Sequence, residues 1–128
     1  MSETYFMGYK INKNIKHFTS NTVLFSNETD SITVTMAKDF LDYILGLIAI
    51  KNPMIEKYQK AKKVFLALKN WLDNRHPHPP NTDDIKATID VLEEIKNMSA
   101  NSDDEKAYNS KYALFCKMII DGFTGGMT

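Results

Sequence analysis

A single cysteine, Cys116, stands in 128 residues. The chain can therefore close no internal disulfide and build no all-cysteine zinc site. A reducing compartment is the expected setting. Arginine is just as scarce, with Arg75 alone. Guanidinium forks carry much of base-edge and phosphate recognition, so their scarcity argues against a sequence-reading nucleic-acid protein. An excess of one charge sign is lacking too. Sixteen basic residues meet sixteen acidic ones, which leaves no net pull toward polyanions or acidic lipid.

Long apolar runs are missing. The most apolar stretch, Phe40 to Ile50, contains Asp42 and is too short to span a bilayer. The opening "MSETYFMGYK" lacks the basic start and apolar run of a secretory leader. These absences predict a soluble cytoplasmic protein with no membrane partner. Motifs are absent as well. The chain contains no G-x-S-x-G, Walker A or H-E-x-x-H pattern. The glycines of "TGGMT" have no helix after them to hold a phosphate. Cys116 lies in "YALFCKM", on the packed side of an apolar helix, whereas a reactive thiol needs an exposed, electropositive place. No cofactor is expected.

What is present reads as one ordinary globular domain over residues 1–128, with 43% apolar and 25% charged residues. The richness in Asn, Lys and Ile is typical of AT-rich genomes and suggests a microbial or viral source. Residues 1–35 are strand-like. "TYFMGYKI" (Thr4–Ile11), "NTVLFS" (Asn21–Ser26) and "SITVT" (Ser31–Thr35) are β-branched, aromatic or apolar, and Ser26–Asp30 reads as a hairpin loop.

Residues 36–122 are helical. Thr35 caps a first helix to about Lys51, apolar on most sides and expected to be central. Asn52-Pro53 starts a second, reaching about Asn74. Its stripe is Met54, Tyr58, Ala61, Phe65, Leu68 and Leu72, widened by Ile55, Val64 and Trp71. A third helix runs from Asn81 or Thr82 to about Met98 on Ile85, Ile89, Leu92 and Ile95. The fourth opens on the capping box "SDDE" at Ser102. It presents Tyr108, Tyr112, Phe115 and Ile119 beside Leu114 and Met118, and Gly122 ends it, leaving 123–128 as a loose tail. The fold class is α+β, mostly helical: a short N-terminal hairpin or meander, then about four packed helices.

Three features bear on chemistry. "DNRHPHPPNT" (Asp73–Thr82) holds His76 and His78. His-x-His can face one metal, but Asp73 and Asp83 are the only nearby donors and His17 lies far away in sequence. The prolines read as a stiff connector between helices, and no metal site is expected. Second, Lys51, Lys57, Lys60, Lys62, Lys63, Lys69 and Arg75 make the second helix basic, against only Glu56 and Asp73. The third helix is acidic, so an antiparallel hairpin lets the two partly answer each other. Third, Tyr5, Phe6 and Tyr9 interleave with Lys10, Lys13, Lys16 and His17. Such text suits stacking of single-stranded bases, and equally a strand with one wet face.

The residues favour a non-enzymatic protein-interaction module. A microbial or phage inhibitor, immunity-type protein or adaptor fits the size. The expected contact residues are Lys57, Lys60, Lys63, Lys69, Trp71, Arg75, His76 and His78, and no residue stands out as catalytic. The alternative is a nucleic-acid-binding regulator using Lys57, Lys60, Lys63 and Lys69. A third reading, an enzyme without a motif, would need a pocket gathering several of Asp39, Asp42, His17 and Tyr43. A homodimer through the fourth helix or a sheet edge is a further option.

Overall fold

The computed structural model describes residues 5–6, 8–12, 16–51, 54–75, 77–97 and 103–126. The run Thr4–Ile11 is not one strand. Gly8 has φ +82, a left-handed conformation open to glycine, and the chain doubles back there. β1 (Tyr5–Phe6) and β2 (Tyr9–Ile11) pair antiparallel, with Phe6 opposite Tyr9. β3 (Val23–Ser26) and β4 (Ser31–Thr33) complete a four-stranded antiparallel meander in chain order. The loop between them closes as the sequence suggests. Asn27 N donates to Asp30 O at 2.9 Å, and Asn27 Oδ1 accepts from Thr29 N at 2.9 Å. Strand register aligns Ile11, Phe25 and Ile32 across the sheet. Phe25 meets Phe115 edge-on, with centroids 4.6 Å apart, and so seats the sheet on the last helix.

Helix α1 (Val34–Ile50) starts earlier than a Thr35 cap requires. Thr33 is the cap, its hydroxyl accepting from Met36 N at 3.4 Å. Thr35 instead donates its hydroxyl to Ser20 O at 2.8 Å. The helix buries Val34, Ala37, Phe40, Leu41, Ile44 and Ile48. That is one stripe, so α1 is not buried all round. Asp39, Asp42, Tyr43, Gly46 and Ile50 face outward.

Helix α2 (Glu56–Leu72) buries Tyr58, Ala61, Val64, Phe65, Leu68 and Leu72, as its spacing predicts. The expected Asn52-Pro53 start lies outside the described residues. Met54 and Ile55 are exposed rather than part of the stripe, because they precede the first helical turn. Asp73 and Asn74 end the helix, Asn74 at φ +64. Residues 77–81 form neither helix nor strand. Asn81 Oδ1 then accepts from Asp84 N at 2.8 Å and caps α3 (Thr82–Asn97).

The buried face of α3 is Ala87, Thr88, Val91, Leu92 and Ile95. It is rotated from the predicted stripe, since Ile85 and Ile89 are only half-buried. Thr88 can be fully enclosed because its hydroxyl donates to Asp84 O at 2.7 Å. Tyr58 donates to Glu94 Oε1 at 2.8 Å. The start of α2 thus meets the end of α3, and the two run antiparallel.

Helix α4 (Asp103–Gly126) continues past Gly122. An interior glycine costs a helix about 1 kcal/mol, which a long helix anchored by buried Tyr112, Phe115, Ile119 and Ile120 carries. The Ser102 cap and the side chain of Tyr108 lie outside what is described. Phe40 of α1 stacks on Tyr112 at 4.9 Å. Cys116 is a core residue, and burial pushes its thiol far above the ordinary range. Among the described residues, no helix is long and apolar enough to cross a membrane.

Candidate functional site

Four lysines of α2 were expected to form one basic face. The structure splits them. Lys57 reaches Glu94 Oε2 on α3 while Lys51 stands 3.8 Å from Oε1. Burial alone would raise the Glu94 carboxyl, but Lys57 and the Tyr58 hydroxyl outweigh it and hold the group below the usual carboxylate range. Lys60 pairs with Glu56 one turn back at 3.1 Å. Lys69 reaches Asp42 on α1. Lys62 and Lys63 are exposed, and among the described residues no carboxylate pairs with either. The acidic and basic helices therefore answer each other at Lys57, and an undivided cationic stripe is not formed.

The Trp71 end of α2 is more built. Trp71 is half-buried, and Phe18 packs its ring edge-on at 5.0 Å. Asn74 clips the same segment with both ends of its amide. Oδ1 accepts from Phe18 N at 2.6 Å, and Nδ2 donates to Phe18 O at 2.7 Å. Arg75 is tied locally: its amide donates to Asn70 O at 2.9 Å, and Nη1 donates to Asn70 Oδ1 at 3.3 Å. His78 is exposed, and His76 lies outside the described residues. Among the described residues, no group of His, Cys, Asp or Glu is placed to hold a metal.

Beside Asn74 an open cleft of about 580 Å³ is lined by Lys38, Asp39, Asp42 and Asp73, among others. His17 and Tyr43 do not line it. Asp39 and Asp42 do meet there, but both are exposed. Lys38 pairs with Asp73 and holds its carboxyl below the usual range, while Lys69 takes Asp42. Of the cleft's charged side chains, Lys38 and Asp73 thus answer each other, and Asp42 is answered by Lys69 from outside the lining.

Sequence reasoning passed over several residues that shape this side of the molecule. Phe18 and Asn74 carried no signal, because a clip spanning 56 positions is invisible to local patterns. Gly46 did carry one, as a glycine inside a helical run. A Cβ built there meets nothing within 4 Å. Lys111 sits over the Tyr9 and Tyr112 rings at 5.5 Å from each, and its contact with the distant Tyr9 leaves no mark in the local pattern. No family model, curated protein or solved structure matches the chain.

Proposed function

We propose that the protein acts by binding another protein, through the exposed side of α2 and the neighbouring end that carries Trp71, Arg75 and the proline loop. One observation carries this reading. The lysines of α2 without carboxylate partners, Lys62 and Lys63, sit among exposed aliphatic side chains. Leu66 is 42% exposed and Ile55 40%. A phosphate track needs several cations acting together, whereas Lys57, Lys60 and Lys69 are committed to Glu94, Glu56 and Asp42. Apolar patches edged by charge are what protein partners use. A reducing, cytoplasmic setting belongs to the same reading, supported by the one buried cysteine. An inhibitor, immunity-type or adaptor role would work by such binding.

The test is capture of partners from the native source by the full chain with lysine cross-linking, beside titration of DNA and RNA at two salt concentrations. The proposal expects protein cross-links at α2 and only weak, sequence-blind nucleic-acid binding. Tight nucleic-acid binding with a steep salt dependence, lost on Lys62→Glu with Lys63→Glu, would overturn it.

A further inference from the structure

The connection between α2 and α3 carries three of the chain's four prolines in the run "PHPP", Pro77–Pro80. Covalent geometry sets its shape. Each proline ring fixes φ at roughly −65°, and a residue that precedes proline is pushed to extended ψ. His78 precedes Pro79, and Pro79 precedes Pro80. Both are therefore held in the polyproline II region, Pro79 in both of its angles. Residues 77–81 accordingly form neither helix nor strand. None of the backbone hydrogen bonds among the described residues uses Pro77–Pro80, as suits a conformation that has no internal ones.

Polyproline II has three residues per turn, so the run has three edges. Pro77 and Pro80 are three apart and share one edge. Both are half-buried, and that edge lies on the protein. His78 and Pro79 occupy the other two edges and are exposed. A stiff connector is served by Pro77 and Pro80. It does not require a further ring held out in water at Pro79. Charge marks the two ends of the run differently. Before it, Arg75 is exposed; Nη1 donates to Asn70 Oδ1 at 3.3 Å, and among the described residues no carboxylate pairs with the guanidinium. After it, Asp83 is exposed in the first turn of α3.

We infer that His78 and Pro79 dock into an aromatic-walled, polyproline-binding groove of a partner protein, with a carboxylate of that groove on Arg75. The inference rests on the protein-binding reading and names the partner's chemistry at the proline loop. Grooves of this kind take proline rings between aromatic side chains and favour a ligand already extended. Here the prolines have fixed the backbone before docking, so little order is lost on binding. The guanidinium fork matches a carboxylate in two bonds. Arg75 at one end and Asp83 at the other favour one direction of docking over its reverse.

The probe is a panel of isolated small domains with tyrosine- and tryptophan-walled polyproline grooves, titrated against the full chain and followed by amide chemical shifts. At least one should bind, shift His78, Asn81 and Thr82, and be displaced by a free proline-rich peptide. Pro79→Ala should weaken that binding at least about tenfold while helix content and Trp71 emission stay native. Arg75→Glu should weaken it as well. Pro77→Ala, on the packed edge, should lower the melting temperature more than Pro79→Ala does. Binding by no member of the panel, or binding unchanged in Pro79→Ala, would overturn the inference. So would a melting temperature lowered as much by Pro79→Ala as by Pro77→Ala, since Pro79 would then serve the connector alone. If the panel fails while native partners still cross-link at Lys62 and Lys63, the loop is wrong and the protein-binding reading stands. If neither binds, that reading falls with it.

Discussion

Asp42 of α1 and Lys69 of α2 face each other across the outer surface, and with Lys38 and Asp73 they set how two helices meet. The Asp42 side chain is 58% exposed, so the pair contributes little stability; exposed pairs give roughly 0.2–1 kcal/mol. Its consequence is geometric. It fixes the antiparallel register of α1 against α2, a four-residue step on one helix matching a four-residue step on the other.

Gly46→Ala should raise stability by about 0.5–1 kcal/mol, the usual helix-interior difference between the two residues. The reason is local: α1 continues on both sides and the added methyl meets open space. Urea denaturation checks this. A loss of stability would mean that the glycine is needed by the fold itself.

Tyr9 and Lys111 converge on one oxygen, Asp30 Oδ2. The tyrosine hydroxyl donates to it at 2.8 Å, and the lysine pairs with the same atom. Lys111 first, then Tyr9, holds the Asp30 carboxyl below its ordinary value. Such a group stabilises the fold fully above its unfolded pKa of about 4 and loses that contribution as pH falls through the lower folded value. Burial alone would lower the Lys111 pKa, but Asp30 and Tyr9 outweigh it and raise it. That contribution is therefore present below the unfolded lysine value of about 10.4 and lost as pH rises through the folded one. Lys111→Met should cost about 1 kcal/mol near neutrality, at the low end for charged hydrogen bonds because the pair is partly solvated. The variant should also lose less stability between pH 5 and pH 2 than the native chain. Tyr9→Phe should combine with it non-additively, since both act through one oxygen. Denaturation across that pH range tests all three.

Asn74 holds a left-handed backbone and grips both backbone polar groups of Phe18. Asn74→Gly keeps the conformation and loses the grip; Asn74→Ala loses both. Alanine should therefore cost more than glycine, by roughly 1 kcal/mol. Either change should release Phe18 from the Trp71 ring and alter tryptophan emission. The Phe18 amide should exchange faster with solvent in both variants.

Much of this fold is legible in the sequence for a physical reason: caps and helical stripes are local. The Asn81 cap, the buried stripe of α2 and the burial of Cys116 follow from neighbours a turn or two away. The failures are equally physical. Thr33 and Thr35 are both competent caps, and the distant Ser20 carbonyl decides by engaging Thr35. The α3 face turns toward Ala87 and Thr88 because close packing favours small residues over the isoleucines that the pattern highlights. Asp39 and Asp42 look misplaced in an apolar run, yet α1 has one outward face and they occupy it. Of the expected contact residues, Lys63 and Arg75 are exposed cations without a carboxylate ion pair among the described residues; Lys57 and Lys69 are engaged by partners on other helices that sequence order does not reveal, and Lys60 by Glu56 one turn back. The α1–α2 register is set by pairs 35 and 27 positions apart, and nothing in either helix alone states it.

Lysine acetylation footprinting of the full chain, alone and in complex with protein captured from its native source, tests the binding surface most directly. In the unbound chain Lys62 and Lys63 should react faster than Lys57, Lys60 and Lys69, which have carboxylate partners. In the complex, Lys62 and Lys63 should be protected. If they remain as reactive in the complex as in the unbound chain, the outer side of α2 is not where this protein meets its partner.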